Sequence, residues 1–319
     1  MRLRRSLQRV GASPSDVSLA TTVGSLELRS VLCTASGTAG HGAELGPYVD
    51  LALLGAMVVK SLSAEPWAGN PPPRVLEATA GMINSVGLQG PGVEAWLEHE
   101  LPELVATGAS VVASIWGHTV ADFARAAAML ADAPAAVIAV EVNVSCPNLE
   151  DRRRMFAHSP SATAEVMAAT EACKRPRWAK LSPNVHDIVE IAAAARDGGA
   201  EAVTLTNTLL AIDIDADSRR PRLGAGRGGL SGPAIKPVAL RAVFDCRAAL
   251  VDLPIVGVGG VASAVDVVEY LLAGAQAVQV GTASFADPHT LDRIRNDLAR
   301  WCAHHGVRDV RELIGGAHG

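Results

Sequence analysis

Eight apolar, β-branched runs recur along this chain, with longer alanine-rich segments of helical spacing between them. The runs cover 31–34, 56–60, 110–115, 137–144, 178–181, 202–206, 254–258 and 277–281. Helices are predicted over 119–131, 161–174, 185–197, 236–248 and 264–273. Strands that are apolar throughout, rather than alternating, are buried on both faces, and their alternation with helices indicates parallel βα units. Eight units is the count of a (β/α)8 TIM barrel, a fold that typically takes about 250 residues. A doubly wound open sheet is the alternative, but it needs edge strands and usually fewer units. With 319 residues, a single domain over 1–319 leaves room for an N-terminal extension (1–28) and long βα loops. Weak alternation over 18–28 predicts a hairpin across the bottom of the barrel. Inserts at 61–84 and 209–231, rich in proline and glycine, are expected to be loops.

The unusual polar residues collect at one end of those strands. Ser36 follows the first, Lys60 and Ser61 end the second, and Ser114 ends the third. Asn143 and Cys146 close the fourth, Lys180 the fifth, and Thr206, Asn207 and Thr208 the sixth. Gly259-Gly260 and Gly281-Thr282 follow the last two. Barrel active sites form at the carboxyl ends of strands, so the pattern indicates an enzyme. Bare glycine backbone after strands seven and eight lets amide N–H groups approach a phosphate, although one such pair could equally make a tight turn. Two lysines ending buried strands indicate an anionic ligand. A thiol between two carboxamides, at Asn143, Cys146 and Asn148, offers a base or nucleophile beside groups that can read a flat heterocycle.

Composition narrows the classes. A formal net charge of −5 without a basic stripe argues against nucleic acid as partner. No apolar run reaches the roughly 18 residues that span a bilayer, and the basic start lacks the apolar core of a signal peptide, so a soluble, cytoplasmic protein is expected. The five cysteines form no Cys-x-x-Cys pair, and no metal is expected. Cys33, Cys173, Cys246 and Cys302 read as packing residues. The Arg152-Arg153-Arg154 run reads as a solvated loop face, with an anion clamp as the alternative.

Several motifs together resemble the flavin-dependent dihydroorotate dehydrogenases. They are Asn-Val-Ser-Cys-Pro-Asn (143–148), Gly-Asn-Pro-Pro-Pro-Arg (69–74), Gly-Met-Ile-Asn-Ser-Val-Gly-Leu-Gln (81–89), Lys-Leu-Ser-Pro-Asn-Val (180–185) and Gly-Gly-Leu-Ser-Gly-Pro-Ala-Ile-Lys-Pro (228–237). The wording is most similar to the class 1B catalytic subunit. The resemblance implies oxidation of dihydroorotate to orotate in pyrimidine biosynthesis, with FMN as hydride acceptor and Cys146 as base. It implies that Ser36, Lys60, Ser61, Ser114, Asn143, Lys180, Thr206, Gly232, Gly259, Gly260, Gly281 and Thr282 bind FMN. It assigns substrate to Lys60, Asn84, Val86, Gly87, Leu88, Asn143, Asn148, Asn207 and Thr208. It also implies a homodimer joined to an electron-transfer subunit in a heterotetramer, with FAD and a 2Fe-2S cluster on that partner and NAD as final acceptor. Two rival readings are a dihydropyrimidine dehydrogenase-like enzyme acting on uracil or thymine and a non-catalytic barrel for a phosphorylated ligand. The stretch after the Cys motif departs from the family's short, glycine-rich form, reading Leu-Glu-Asp-Arg-Arg-Arg-Met-Phe over 149–156.

Overall fold

The computed structural model describes residues 13–145 and 155–319. Eight parallel strands form one sheet: β1 (Leu32–Thr34), β2 (Met57–Val58), β3 (Val111–Ile115), β4 (Val137–Asn143), β5 (Arg177–Leu181), β6 (Ala202–Leu205), β7 (Ile255–Val258) and β8 (Ala277–Val280). Neighbours in sequence are neighbours in the sheet from β2 to β8, and β8 pairs with β1. The ring closes between β1 and β2 through a parallel bridge from Cys33 to Ala56. There Gly55 N donates to Leu32 O at 2.7 Å and Thr34 N donates to Ala56 O at 3.2 Å. The chain is therefore an α/β TIM barrel, and closure rules out the open sheet.

Six longer helices wrap the ring: α1 (Val120–Met129), α2 (Pro160–Ala169), α3 (Ile188–Asp197), α4 (Lys236–Ala249), α5 (Ala264–Leu272) and α6 (Thr290–His305). Short polar side chains set the starts of four. Thr119, Ser159, Asp187 and Ser263 each accept a hydrogen bond from a first-turn N–H that would otherwise be orphaned. The expected helix over 161–174 tightens into a 3-10 turn at Thr170–Cys173, where the Thr170 hydroxyl donates to Met167 O.

Side chains inside the ring lie in layers, as the alternation of strand residues requires. The lowest layer is apolar: Val58, Val112, Ala139, Trp178, Ala202, Val256 and Ala277 pack together with Val23 and Leu28 from below. Those last two belong to an antiparallel hairpin, Thr21–Val23 with Leu26–Leu28. It is tied to the N-terminal ends of the strands, with the Thr21 hydroxyl donating to Gln276 O at 2.7 Å and Ser25 N to the Glu201 carboxylate at 2.5 Å. Burying a large apolar side chain such as Trp178 contributes about 2–3 kcal/mol. The floor of the barrel is thus a plugged, tightly packed layer.

The two long inserts are not simple loops. Val75–Ala78 and Gly81–Asn84 from the β2 insert pair antiparallel with each other, and Gly228–Ser231 and Leu209–Ala211 from the β6 insert extend them into a four-stranded sheet. Their proline and glycine content hid strands that are short and mostly half-buried.

Candidate active site

Above the apolar layer, the interior turns polar. A cavity of about 360 Å³ opens at the carboxyl end of the barrel, roofed by the four-stranded sheet. Ser36, Lys60, Ser61, Asn143, Lys180, Thr206, Gly232, Gly259, Gly260, Gly281 and Thr282 line it. Asn84, Val86, Gly87 and Leu88 join from the β2 insert, and Asn207 and Thr208 from the end of β6. Ser114 stands one step behind the wall, fully buried, with its Oγ 2.9 Å from that of Ser61. Cys146, Asn148 and the Arg152-Arg153-Arg154 run lie outside the described residues.

The wall is braced by short side-chain bonds between strand ends. Ser61 Oγ is 3.2 Å from Ser36 Oγ and accepts from Asn143 Nδ2 at 3.4 Å. Asn143 Oδ1 accepts from Asn207 Nδ2 at 3.2 Å and from Ser145 N at 3.2 Å. Strands β2, β3, β4 and β6 are thereby linked at one level. Each carboxamide is used on both its donor and its acceptor side, which fixes its orientation.

Just below this level lies a group that sequence reasoning did not single out. Glu141, two residues before Asn143 on β4, is fully buried inside the barrel. Its Oε2 accepts from Thr204 Oγ1 at 3.0 Å and from Gln279 Nε2 at 2.8 Å, while its Oε1 stands 3.6 Å from Lys180 Nζ. Gln279 Oε1 accepts from Lys180 Nζ at 3.1 Å, so the amide bridges the ion pair. An acceptor-only carboxylate and a donor-only ammonium determine which end of Gln279 faces which. Breaking such a buried pair by removing one partner typically costs about 3–5 kcal/mol. The sequence signal was an acidic residue in the middle of an otherwise apolar strand.

The roof approaches the wall closely. Asn84 Nδ2 donates to Gly229 O at 3.3 Å, and a Cβ on Gly229 would fall 2.0 Å from the Thr208 hydroxyl, so a larger residue there would displace Thr208. Asn184, within the Lys-Leu-Ser-Pro-Asn-Val segment, donates to Thr208 O at 3.0 Å and accepts from Leu210 N at 2.9 Å. Thr282 Oγ1 donates to Ser231 Oγ at 2.8 Å, joining the roof to the turn after β8. The proline-rich motif has a bracing role. Arg74 Nε donates to Asn70 O and Arg74 Nη1 to Gln89 Oε1, both at 2.6 Å, while Asn70 Nδ2 donates to Ser85 Oγ at 2.9 Å.

The turn after β7 is held from beneath. Gly260 has a φ of +71°, and a Cβ on it would meet Lys236 Cβ at 2.7 Å. Lys236 Nζ donates to Asp266 at 2.6 Å and to Glu269 at 2.7 Å. Asp266 also accepts from Ala262 N and Ser263 N, closing the start of α5. Both carboxylate bonds raise the Lys236 ammonium above its usual range. Burial opposes ionisation of Asp266, yet Lys236 and the loop N–H groups hold its carboxyl below the usual range. Under the same turn, the buried Tyr270 hydroxyl donates to Gly259 O at 2.7 Å.

Other titratable groups are set by burial. Desolvation, then the nearby Lys60 ammonium, lowers His41. The thiols of Cys33 and Cys246 are pushed up to about 12, and that of Cys302 to about 11, chiefly by desolvation; Cys173 is raised for the same reason. Such thiols are inert packing groups. Among the described residues, no helix is long and apolar enough to cross a membrane.

Known proteins match this chain over most of its length. The family model for dihydroorotate dehydrogenase matches residues 18–301. A protein of Desulforudis audaxviator named dihydroorotate dehydrogenase B (NAD(+)), catalytic subunit, is 48% identical over 95% of this chain and 98% of its own. Proteins of the same name in Trichlorobacter lovleyi and Geobacter sulfurreducens are each 45% identical, over 94% and 93% of this chain and 99% and 97% of theirs. With this match spanning the barrel, its polar strand ends and its roof, the chain belongs to the dihydroorotate dehydrogenase family.

Proposed function

We propose that the chain oxidises dihydroorotate to orotate as the catalytic subunit of a class 1B enzyme, with FMN bound in the cavity at the carboxyl end of the barrel. The observation that carries this reading is the convergence of Lys60, Lys180, Asn84, Asn143 and Asn207 on one roofed cavity. A substrate with a carboxylate and a ring edge of alternating carbonyl and N–H groups needs that set of partners.

The residues present fit a flavin nucleotide. Among the described residues, the buried hydroxyls of Thr206 and Ser145 find no hydrogen-bond partner, and both belong to the cavity wall. A ligand with several ring heteroatoms would satisfy them. Ser36, Lys60, Ser61, Asn143, Lys180, Thr206 and Gly232 would hold the ring system, with Ser114 supporting Ser61. Gly259, Gly260, Gly281 and Thr282 would hold the phosphate through backbone N–H groups, beside the start of α5. FMN supplies the hydride acceptor.

The protein's own residues do the rest. Lys60 and Asn84, with the backbone of Val86, Gly87 and Leu88, hold the substrate carboxylate. Asn143, Asn148, Asn207 and Thr208 orient the pyrimidine edge. Cys146 takes the C5 proton as the C6 hydride leaves, a role that needs a thiolate within hydrogen-bond reach and a site closed to water. A partner electron-transfer subunit would carry FAD and a 2Fe-2S cluster and would supply the route from this site to NAD, in a heterotetramer built on a homodimer of this chain.

Anaerobic mixing tests the reading. The purified protein is expected to carry FMN and to bleach with dihydroorotate but not with dihydrouracil. Alone, it is expected to reduce artificial dyes and not NAD. A relative in Solibacter usitatus, 46% identical, carries a provisional name as dihydroorotate dehydrogenase A (fumarate), so fumarate belongs among the acceptors assayed. Robust NAD or fumarate reduction by the isolated chain would overturn the partner-dependent reading.

A further inference from the structure

Lys180, one of the cavity's cations, has a fully buried carboxylate behind it. Glu141 reaches it from β4 at 3.6 Å, Gln279 bridges the two from β8, and Thr204 from β6 holds the carboxylate's other oxygen. Lys180 lines the cavity; Glu141 is absent from the wall and lies beneath it. The carboxylate therefore does not touch a ligand in the cavity, and its contact with the wall is made at Lys180. Stability alone does not call for this arrangement, because well-packed apolar residues commonly serve a barrel interior as well as or better than a buried ion pair. The layer immediately below is made of such residues.

We propose that Glu141 is a positioning residue that sets the electron affinity of the bound flavin. It fixes the Lys180 ammonium against the cavity wall and offsets part of its charge, holding the flavin's reduction potential below the value that an uncompensated lysine would impose. The inference rests on the reading that FMN occupies this cavity. Reduction adds negative charge to the flavin ring, and a cation beside the ring favours that state. A buried anion behind the cation weakens the preference. In a catalytic subunit that must hand its electrons onward, a flavin that holds them too firmly would stall turnover.

The test compares wild type with Glu141→Gln, both loaded with FMN, by sulfite titration and by midpoint potential. Sulfite binding to oxidised flavin responds to the same positive field and requires no substrate turnover. Glu141→Gln is expected to bind sulfite at least about tenfold more tightly, with a midpoint potential higher by about 30 mV, the two-electron equivalent of a tenfold change. Unchanged or weaker sulfite binding would overturn the proposal. Glu141→Asp keeps the charge but withdraws it by one methylene from Lys180. It is expected to shift both quantities in the same direction by a smaller factor, about two- to threefold in sulfite affinity. Where Glu141→Gln does not hold flavin, Glu141→Asp decides: wild-type or weaker sulfite affinity refutes the role. A wild-type protein that binds no flavin would instead defeat the cofactor reading itself, a separate outcome.

Discussion

Asn207 donates its amide to the Asn143 carbonyl oxygen at 3.2 Å, linking the ends of β6 and β4 across the cavity wall. The bond has a fixed sense, because Asn143 Oδ1 also accepts from Ser145 N, and Asn207 Oδ1 accepts from Thr208 N at 2.8 Å. Asn207→Asp would set two acceptors against each other. It is expected to lower kcat/KM for dihydroorotate by at least about tenfold, the cost of roughly one lost and one repulsive polar contact. Steady-state assays with an artificial dye would show this. An unchanged kcat/KM would place the pair away from the substrate.

Cys146→Ala should retain FMN and bind orotate, yet reduce its flavin with dihydroorotate about a hundredfold more slowly or worse, the scale for loss of a general base. Cys146→Ser should keep some activity that rises with pH, since a hydroxyl ionises far less readily than a thiol. Single-turnover stopped flow is the measurement; a wild-type rate in the alanine variant removes Cys146 from catalysis.

The Lys236–Asp266 contact carries a pH signature. Asp266 is held below its unfolded value, so its contribution to stability is present above about pH 4 and is lost as pH falls through the folded value. Lys236 is raised, so its contribution is present below about pH 10 and is lost as pH rises through the folded value. Lys236→Met should cost about 1–2 kcal/mol between those limits, since the ion pair is only partly exposed. In urea unfolding, the gap from wild type should narrow below about pH 4. A gap that is constant from pH 3 to 8 would show that the lysine acts through packing alone.

Tyr270→Phe removes the bond to Gly259 O while preserving the buried ring. The expected loss is about 1 kcal/mol of stability, plus the desolvation of an unpaired carbonyl. Because Gly259 opens the turn assigned to the phosphate, FMN should also dissociate severalfold faster. Flavin fluorescence on dilution follows that rate, and a variant with wild-type retention would uncouple Tyr270 from the phosphate turn.

The barrel was legible because its strands are mostly apolar without strict alternation, a pattern that double-sided burial explains. The site was legible because Lys60, Lys180, Asn143 and Asn207 are polar where such strands end. Glu141, Thr204 and Gln279 escaped notice for the opposite reason. They sit within strands, one alternation below the recognised residues, where a lone polar residue gives no hint of the partner it meets across the ring. The roof strands escaped because Val75–Ala78 and Gly81–Asn84 are four residues each and lie in a proline-rich insert. The pairing of Gly81–Asn84 with Gly228–Ser231 is a contact between segments about 145 residues apart that local sequence does not encode.

The hairpin packed under Trp178 makes the barrel a cup rather than a pipe. Nothing the size of a pyrimidine can pass through this packed floor, so substrate arrival and product departure share the rim formed by the βα loops and the roof. A bound orotate then stands in the path of the next dihydroorotate, and the product becomes a competitor of its own precursor by geometry alone.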